Sequence, residues 1–309
     1  MQRPGYIVHG LPLRSDFPLP LAQGGNGKQP HVEVVRRGPA PVPVPDEPPP
    51  GESYGAVGTP PARSWWSLDG DTWRIRFPGR CELRVAPPWW RVEVDVHVGA
   101  PADVVADRIV KTGVLFALER QGRHVLHASA VHIEDATIAF VGTSGSGKST
   151  LAALLCADGG ALVSDDQLRI DFAGGDVTCH PGLDALRLRA EVREVAKLLG
   201  GRSDSTWDGR TAVLPTSVEG PQRLDVLVLP ALTTEHDTLR VEALSRPEAM
   251  VSLAGTRAIP RIPEWLAARF HTHASLVQRL PAFRVLLPFG SVPGADARRA
   301  LLERLLASG

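Results

Sequence analysis

The residues Gly142-Thr143-Ser144-Gly145-Ser146-Gly147-Lys148-Ser149 follow the spacing GxxxxGK[ST]. Each type has a task in that order. Glycines let the backbone curl until successive amides point at one anion. A lysine supplies a compact, mobile ammonium for the outer phosphates, where a planar guanidinium fork fits poorly. The choice is pointed, because only four of the 34 basic residues are lysine: Lys28, Lys111, Lys148 and Lys197. The hydroxyl of Ser149 suits Mg2+. The spacing predicts that ATP with Mg2+ sits on Gly142 to Thr150, with Lys148 neutralising the β- and γ-phosphates.

Two carboxylates, Asp165 and Asp166, follow 17 and 18 residues after Lys148, at the tip of the strand pattern "ALVSDD". One of them can serve the metal and the other can accept a proton from an attacking hydroxyl. Such a pair favours a kinase, which needs a base for its acceptor, over a hydrolase, which positions water. His127 opens the apolar run "ASAVHI" and is a candidate orienting partner or phosphate contact.

These residues need elements to hold them. "TIAFV" reads as a strand feeding the glycine loop, and Ser149 to Asp158 has helical periodicity, ended by Gly159-Gly160. "HVLHASAVHI" and "ATIAFVG" read as two strands meeting at Glu134-Asp135, a hairpin. Further strands are expected at "LDVLVLPAL", "LRVEAL" and "FRVLLPFG". Helices are expected over 101–120, 190–199, 247–253, 265–280 and 295–306. Strands mixed with helices predict an α/β domain over residues 101–309.

Residues 1–100 read as a smaller, β-rich region. "TWRIRF", "CELRVA" and "WRVEVDVHV" alternate with the period of half-buried antiparallel strands. Trp65, Trp66, Trp73, Trp89 and Trp90 crowd there, as an aromatic core or a surface for an extended peptide. Residues 38–61 are rich in proline and glycine and predict an exposed loop, partly polyproline II.

The chain of 309 residues is 43% hydrophobic with zero formal net charge, which argues against a nucleic-acid partner. No apolar run approaches the roughly 20 residues of a membrane span. Cys81, Cys156 and Cys179 lack zinc or disulfide spacing and predict buried thiols in a reducing, cytoplasmic setting. No apolar signal region is visible at the start.

Taken together, "LHASAV", "IAFVGTSGSGKSTLAALL" and "ALVSDDQL" resemble the catalytic domain of HPr kinase/phosphorylase and its shorter HPr-kinase-like relatives. The resemblance spans about residues 126–189. It maps the family's histidine, loop and Asp-Asp pair onto His127, Gly142 to Ser149 and Asp165-Asp166. It implies a P-loop kinase domain of the HPr kinase and phosphoenolpyruvate carboxykinase type. It also implies Asp165 as proton acceptor, with His127 tuning it, and Asp166 with Ser149 as metal ligands. "HPGLDALRLRAEV" is similar to the segment after the aspartates in the shorter relatives, which makes Arg187 and Arg189 candidate phosphate or acceptor contacts. "GLPLRSDFPLPL" resembles the start of those relatives, some of which accompany natural-product gene clusters and phosphorylate a hydroxyl of the precursor peptide.

The implied function is ATP-dependent phosphotransfer to a serine-type hydroxyl of a peptide or small protein. The rivals are a small-molecule hydroxyl kinase and a non-catalytic nucleotide-sensing module. Self-association as a homo-oligomer is a further implication of the resemblance.

Overall fold

The structure, a computed structural model, describes residues 3–25, 27–58, 63–199, 203–255 and 263–307. The chain forms two units of a mixed α/β architecture: Met1–Val125 with Ala258–Ala267, and Leu126–Arg257 with Ala268–Gly309.

The first unit is built on an eight-stranded sheet. Its strands are β1 (Gly5–Val8), β2 (Leu11–Ser15), β3 (Val32–Arg36), β4 (Glu52–Val57), β5 (Ser64–Asp69), β6 (Thr72–Phe77), β7 (Cys81–Val85) and β8 (Arg91–Val96), in the order β1-β2-β3-β8-β7-β6-β5-β4. β1 and β2 turn through His9 and Gly10, both at positive φ (53° and 71°), as a tight two-residue hairpin requires. The alternating segments bury Ile75, Leu83, Val92 and Val94 on one face. Against this sheet pack α1 (Ala102–Arg108), a π-helical turn (Ile109–Val114) and α2 (Leu115–Arg120). A Cβ on Gly113 would stand 2.9 Å from Cγ1 of Val92 and 3.2 Å from Cδ1 of Leu83, so a glycine is what lets this helix approach.

That packing moves the boundary. Residues 101–120 were expected to begin the larger domain, but their apolar face is buried on the first sheet, and the division falls after Val125. Residues 38–61 also differ from the expected loop. Glu52–Val57 forms an edge strand that contains no proline, so none interrupts the ladder; 59–61 lie outside the described residues. The tryptophans divide. Trp66 and Trp73 are buried, forming a ring cluster with Phe116 and Trp265, whose centroids lie 5.1 to 6.2 Å from its neighbours. Trp90 is exposed.

The second unit follows the short strand β9 (His124–Leu126). Its main sheet contains β10 (Ala128–Ile133), β11 (Ala136–Val141), β12 (Ala161–Ser164), β19 (Val226–Thr233), β20 (Arg240–Leu244) and β21 (Ala282–Pro288), in the order β12-β10-β11-β19-β21-β20. β13 (Leu168–Ala173), β14 (Asp176–Cys179) and β18 (Gln222–Arg223) line up in a second sheet. β15 (Leu186–Leu188), β17 (Thr211–Val213) and β16 (Ser203–Ser205) form a third. The helices are α3 (Lys148–Ala157), α4 (Arg193–Leu198), α5 (Arg246–Ala254), α6 (Pro263–Arg279, divided between the units after Ala267) and α7 (Ala295–Leu306).

β11 runs parallel to β19, and β19 parallel to β21, which puts their C-terminal tips on one edge. β11 is buried on both faces, which explains its unbroken apolar run. Ile138 and Phe140 point into one core with Leu151, Leu154 and Leu155 of α3. Ala139 and Val141 point into the other core, with Leu227 and Leu229. Among the described residues no helix is long and apolar enough to cross a membrane.

Candidate active site

The glycine loop leaves β11 at Gly142 and enters α3 at Lys148. Its backbone uses the freedom of glycine at two points, Gly145 (φ 87°) and Gly147 (φ 104°). Space is as restrictive as conformation. A Cβ on Gly147 would lie 2.7 Å from Cδ1 of Leu287, and one on Gly142 would lie 2.6 Å from Oγ of Ser146. Gly145 and Gly147 of the loop and Lys148, Ser149 and Thr150 of α3 line one cleft, and a helix N-terminus beside a glycine loop is suited to an anion.

Lys148 is buried and folds back on the loop. Its Nζ donates to the carbonyls of Gly142 (2.9 Å) and Thr143 (2.8 Å) and to Nε2 of His127 (3.2 Å). Burial lowers its pKa from the ordinary lysine value; Asp166 and Asp165 oppose that shift, and Arg210 and Arg189 add to it. His127 reaches the other way through Nδ1, 2.9 Å from the carbonyl oxygen and 3.1 Å from Oδ1 of Asp166. The network assigns the ring proton to Nδ1, leaving Nε2 to accept from Lys148. Asp166, His127 and Lys148 thus form one chain.

The two aspartates occupy different environments. Asp165 is only 2% exposed. Its Oδ1 accepts from Ser149 Oγ (2.8 Å) and Ser129 Oγ (2.6 Å), and its Oδ2 from the backbone N–H of Arg187 (3.1 Å). Asp166 is turned outward by a left-handed backbone (φ 68°), a conformation uncommon for any residue but glycine, and its side chain is 30% exposed. It lines the cleft over the loop, a hollow of about 200 Å³.

Arg187 and Arg189 also line that cleft, but they divide. Arg187 is braced by Asp208, with Nη2 2.9 Å from Oδ2. Arg189 lies over the loop, its Nη2 3.1 Å from where a Cβ of Gly145 would be. Sequence reasoning missed Arg210, which joins the cleft and also pairs with Asp208 at 3.3 Å. Burial works against ionisation of Asp208, but the Thr206 hydroxyl and the two guanidiniums hold its carboxyl below the usual range. The only local signal was the Asp208-Gly209 turn of a hairpin, which says nothing of the loop it reaches. Ser129 was missed as well, although it lies two residues past His127.

The site fits a phosphate tail with a hard cation. Ser146 Oγ is buried with no hydrogen-bond partner among the described residues, a donor at the cradle. Among the described residues Asp165 is hydrogen-bonded by two hydroxyls and one amide, with the Lys148 ammonium acting on it only through space, so a cation beside Ser149 would add to the balance of its charge. Ser149 and Asp165 together offer the oxygen donors Mg2+ prefers when phosphates complete its shell. No group of three or more His, Cys, Asp or Glu side chains suited to a metal occurs among the described residues.

No family model matches the chain, and no curated protein matches it. Among solved structures, it is similar to the HPr(Ser) kinase/phosphatase from Coxiella burnetii, at 17% identity and a TM-score of 0.29, over 60% of this chain and 89% of that one.

Proposed function

We propose that the second unit is an ATP-dependent kinase that phosphorylates a serine-type hydroxyl of a peptide or small protein. The observation that carries this reading is the split between the aspartates: Asp165 is held on Ser149, and Asp166 faces the cleft in a chain with His127 and Lys148. A binding module would need the cradle alone. The peptide acceptor rests on the resemblance at Gly10 to Leu21 and in the cleft-lining segment His180 to Val192.

Geometry favours exchanging the roles expected from sequence. Asp165 is enclosed, which keeps it from an acceptor hydroxyl, and it is tied to the Ser149 hydroxyl, so it is the better partner for a metal held with Ser149. Asp166 is the better proton acceptor, with His127 orienting it. The acceptor oxygen would give its proton to Asp166 while it forms a bond to the γ-phosphorus. The bond from that phosphorus to the β–γ bridging oxygen breaks, and ADP leaves with the electron pair. Lys148 would leave the carbonyls of Gly142 and Thr143 to meet the outer phosphates, and Arg189 would balance charge on the transferring group. Bound Mg2+ supplies charge neutralisation across the phosphates. The loop amides and α3 hold the tail in line, so most of the acceleration comes from positioning.

The test incubates the protein with Mg·ATP and serine-containing peptides, beside free serine and other small hydroxyl compounds, with mass spectrometry as readout. Phosphopeptide formation that Asp166→Asn abolishes while ATP still binds is expected. Undiminished transfer by that variant would sink the assignment, and transfer to small hydroxyl compounds alone would redirect it to the metabolite class.

A further inference from the structure

The loop has two unlike flanks. On the Gly145 side stands Arg189, with Asp166 and His127 in the same cleft. On the Gly147 side the nearest atoms are apolar: Cδ1 of Leu287 at 2.7 Å and Cδ2 of Leu232 at 3.7 Å from the built Cβ position. Beyond Leu287 the cleft continues onto Phe289. Leu232 and Phe289 are 44% and 62% exposed, two large apolar side chains open to the cleft. They are not on a loose loop. They sit at the tips of the parallel neighbours β19 and β21, and the Phe289 N–H donates to Thr233 O at 2.8 Å.

Sheet order fixes the same polarity. Asp165 and Asp166 follow β12, two strands to one side of β11. Leu232 and Phe289 belong to the two strands on the other side. A nucleoside triphosphate lying across the loop with its γ-phosphate near Asp166 would have its base on the Leu232 and Phe289 side.

We infer that the ledge formed by Phe289 and Leu232 is the nucleobase subsite, and that it accepts adenine and guanine nucleotides alike. This rests on the nucleotide reading above and specifies the donor it takes. Phe289 offers a ring face, and stacking is tolerant of base identity because every base has a π-face. Ser291, two residues past Phe289, lines the same cleft and carries a hydroxyl. A hydroxyl both donates and accepts, so it serves the 6-amino group of adenine and the 6-oxo group of guanine equally well.

The experiment is calorimetric titration of the wild-type protein and Phe289→Ala with Mg2+ and each of ATP, GTP and inorganic tripolyphosphate. Phe289 is exposed, so its truncation leaves the core intact. Wild-type affinities for ATP and GTP should agree within about fivefold, and Phe289→Ala should weaken both by roughly ten- to a hundredfold. Tripolyphosphate, which has no base, should bind both proteins equally. If ATP binding survives Phe289→Ala unchanged, the subsite is overturned while the phosphate cradle stands. A preference of more than about fivefold between ATP and GTP would overturn the tolerance, since that requires a polar contact that tells the bases apart. Wild-type protein that ignores tripolyphosphate would overturn the cradle itself.

Discussion

The guanidinium of Arg189 lies over Gly145, with Nη2 3.1 Å from the position a Cβ there would occupy. The loop's bare backbone and the arginine are therefore fitted to one another. Replacing Arg189 by alanine should lower kcat by about 10² or more, because the interaction matters most as charge spreads over the transferring group. ATP affinity should change less than about tenfold, and Arg189→Lys should recover only part of the rate. Steady-state kinetics separates the two effects. A rise in KM with an unchanged kcat would mean that Arg189 only binds the ground state.

What was legible in the sequence was what is local. Gly142 to Ser149 announces its own shape, and "TIAFV" before it reads as a doubly buried strand because every residue from Ile138 to Val141 is apolar. The hairpin at Glu134-Asp135 was legible for the same reason, and β10 and β11 pair as expected. The different settings of Asp165 and Asp166 were not legible. They depend on the left-handed backbone at Asp166 and on Ser129, Ser149 and Arg187 converging on Asp165 from three separate segments. Arg210, Leu232 and Phe289 were invisible because strand pairing far along the chain carries them to the loop.

Lys148 gives a pH dependence of known sign. Burial lowers its pKa, so the ammonium is shed at a pH below the ordinary 10.5. Polyphosphate affinity should therefore decline as pH rises toward that value, whereas Lys148→Arg should stay flat because its charge persists. Ligand-free stability should move oppositely. Between the lowered folded value and 10.5 the unfolded chain binds more protons, so stability rises with pH. Titrating tripolyphosphate from pH 7 to 10.5 into both proteins removes the ligand's own ionisation from the comparison. Parallel profiles would show that Lys148 does not carry the charge that binds.

The boundary after Val125 can be tested through Gly113. Its substitution by valine forces a side chain to within 2.9 Å of Val92 and 3.2 Å of Leu83. Overpacking of this kind costs roughly 1–3 kcal/mol. The loss should appear as a lower denaturation midpoint of the tryptophan signal, since six of the seven tryptophans belong to the first unit. Unchanged stability would mean that the helix over 101–120 is not held on the first sheet.

His273, in the part of α6 that belongs to the second unit, should make that unit sensitive to acid. Burial, with Arg269 adding to it, lowers its pKa from 6.5 to about 4. The unfolded chain then takes up a proton that the folded chain refuses between those values. Stability should be lost as pH falls through 6.5, with the loss complete below about 4, up to roughly 2–3 kcal/mol after allowance for partial exposure. His273→Gln has no such proton to gain. The difference in urea midpoint between wild type and variant should therefore shift against the wild type across pH 7 to 4. A difference that stays constant over that range would show that His273 titrates alike in the folded and unfolded chains.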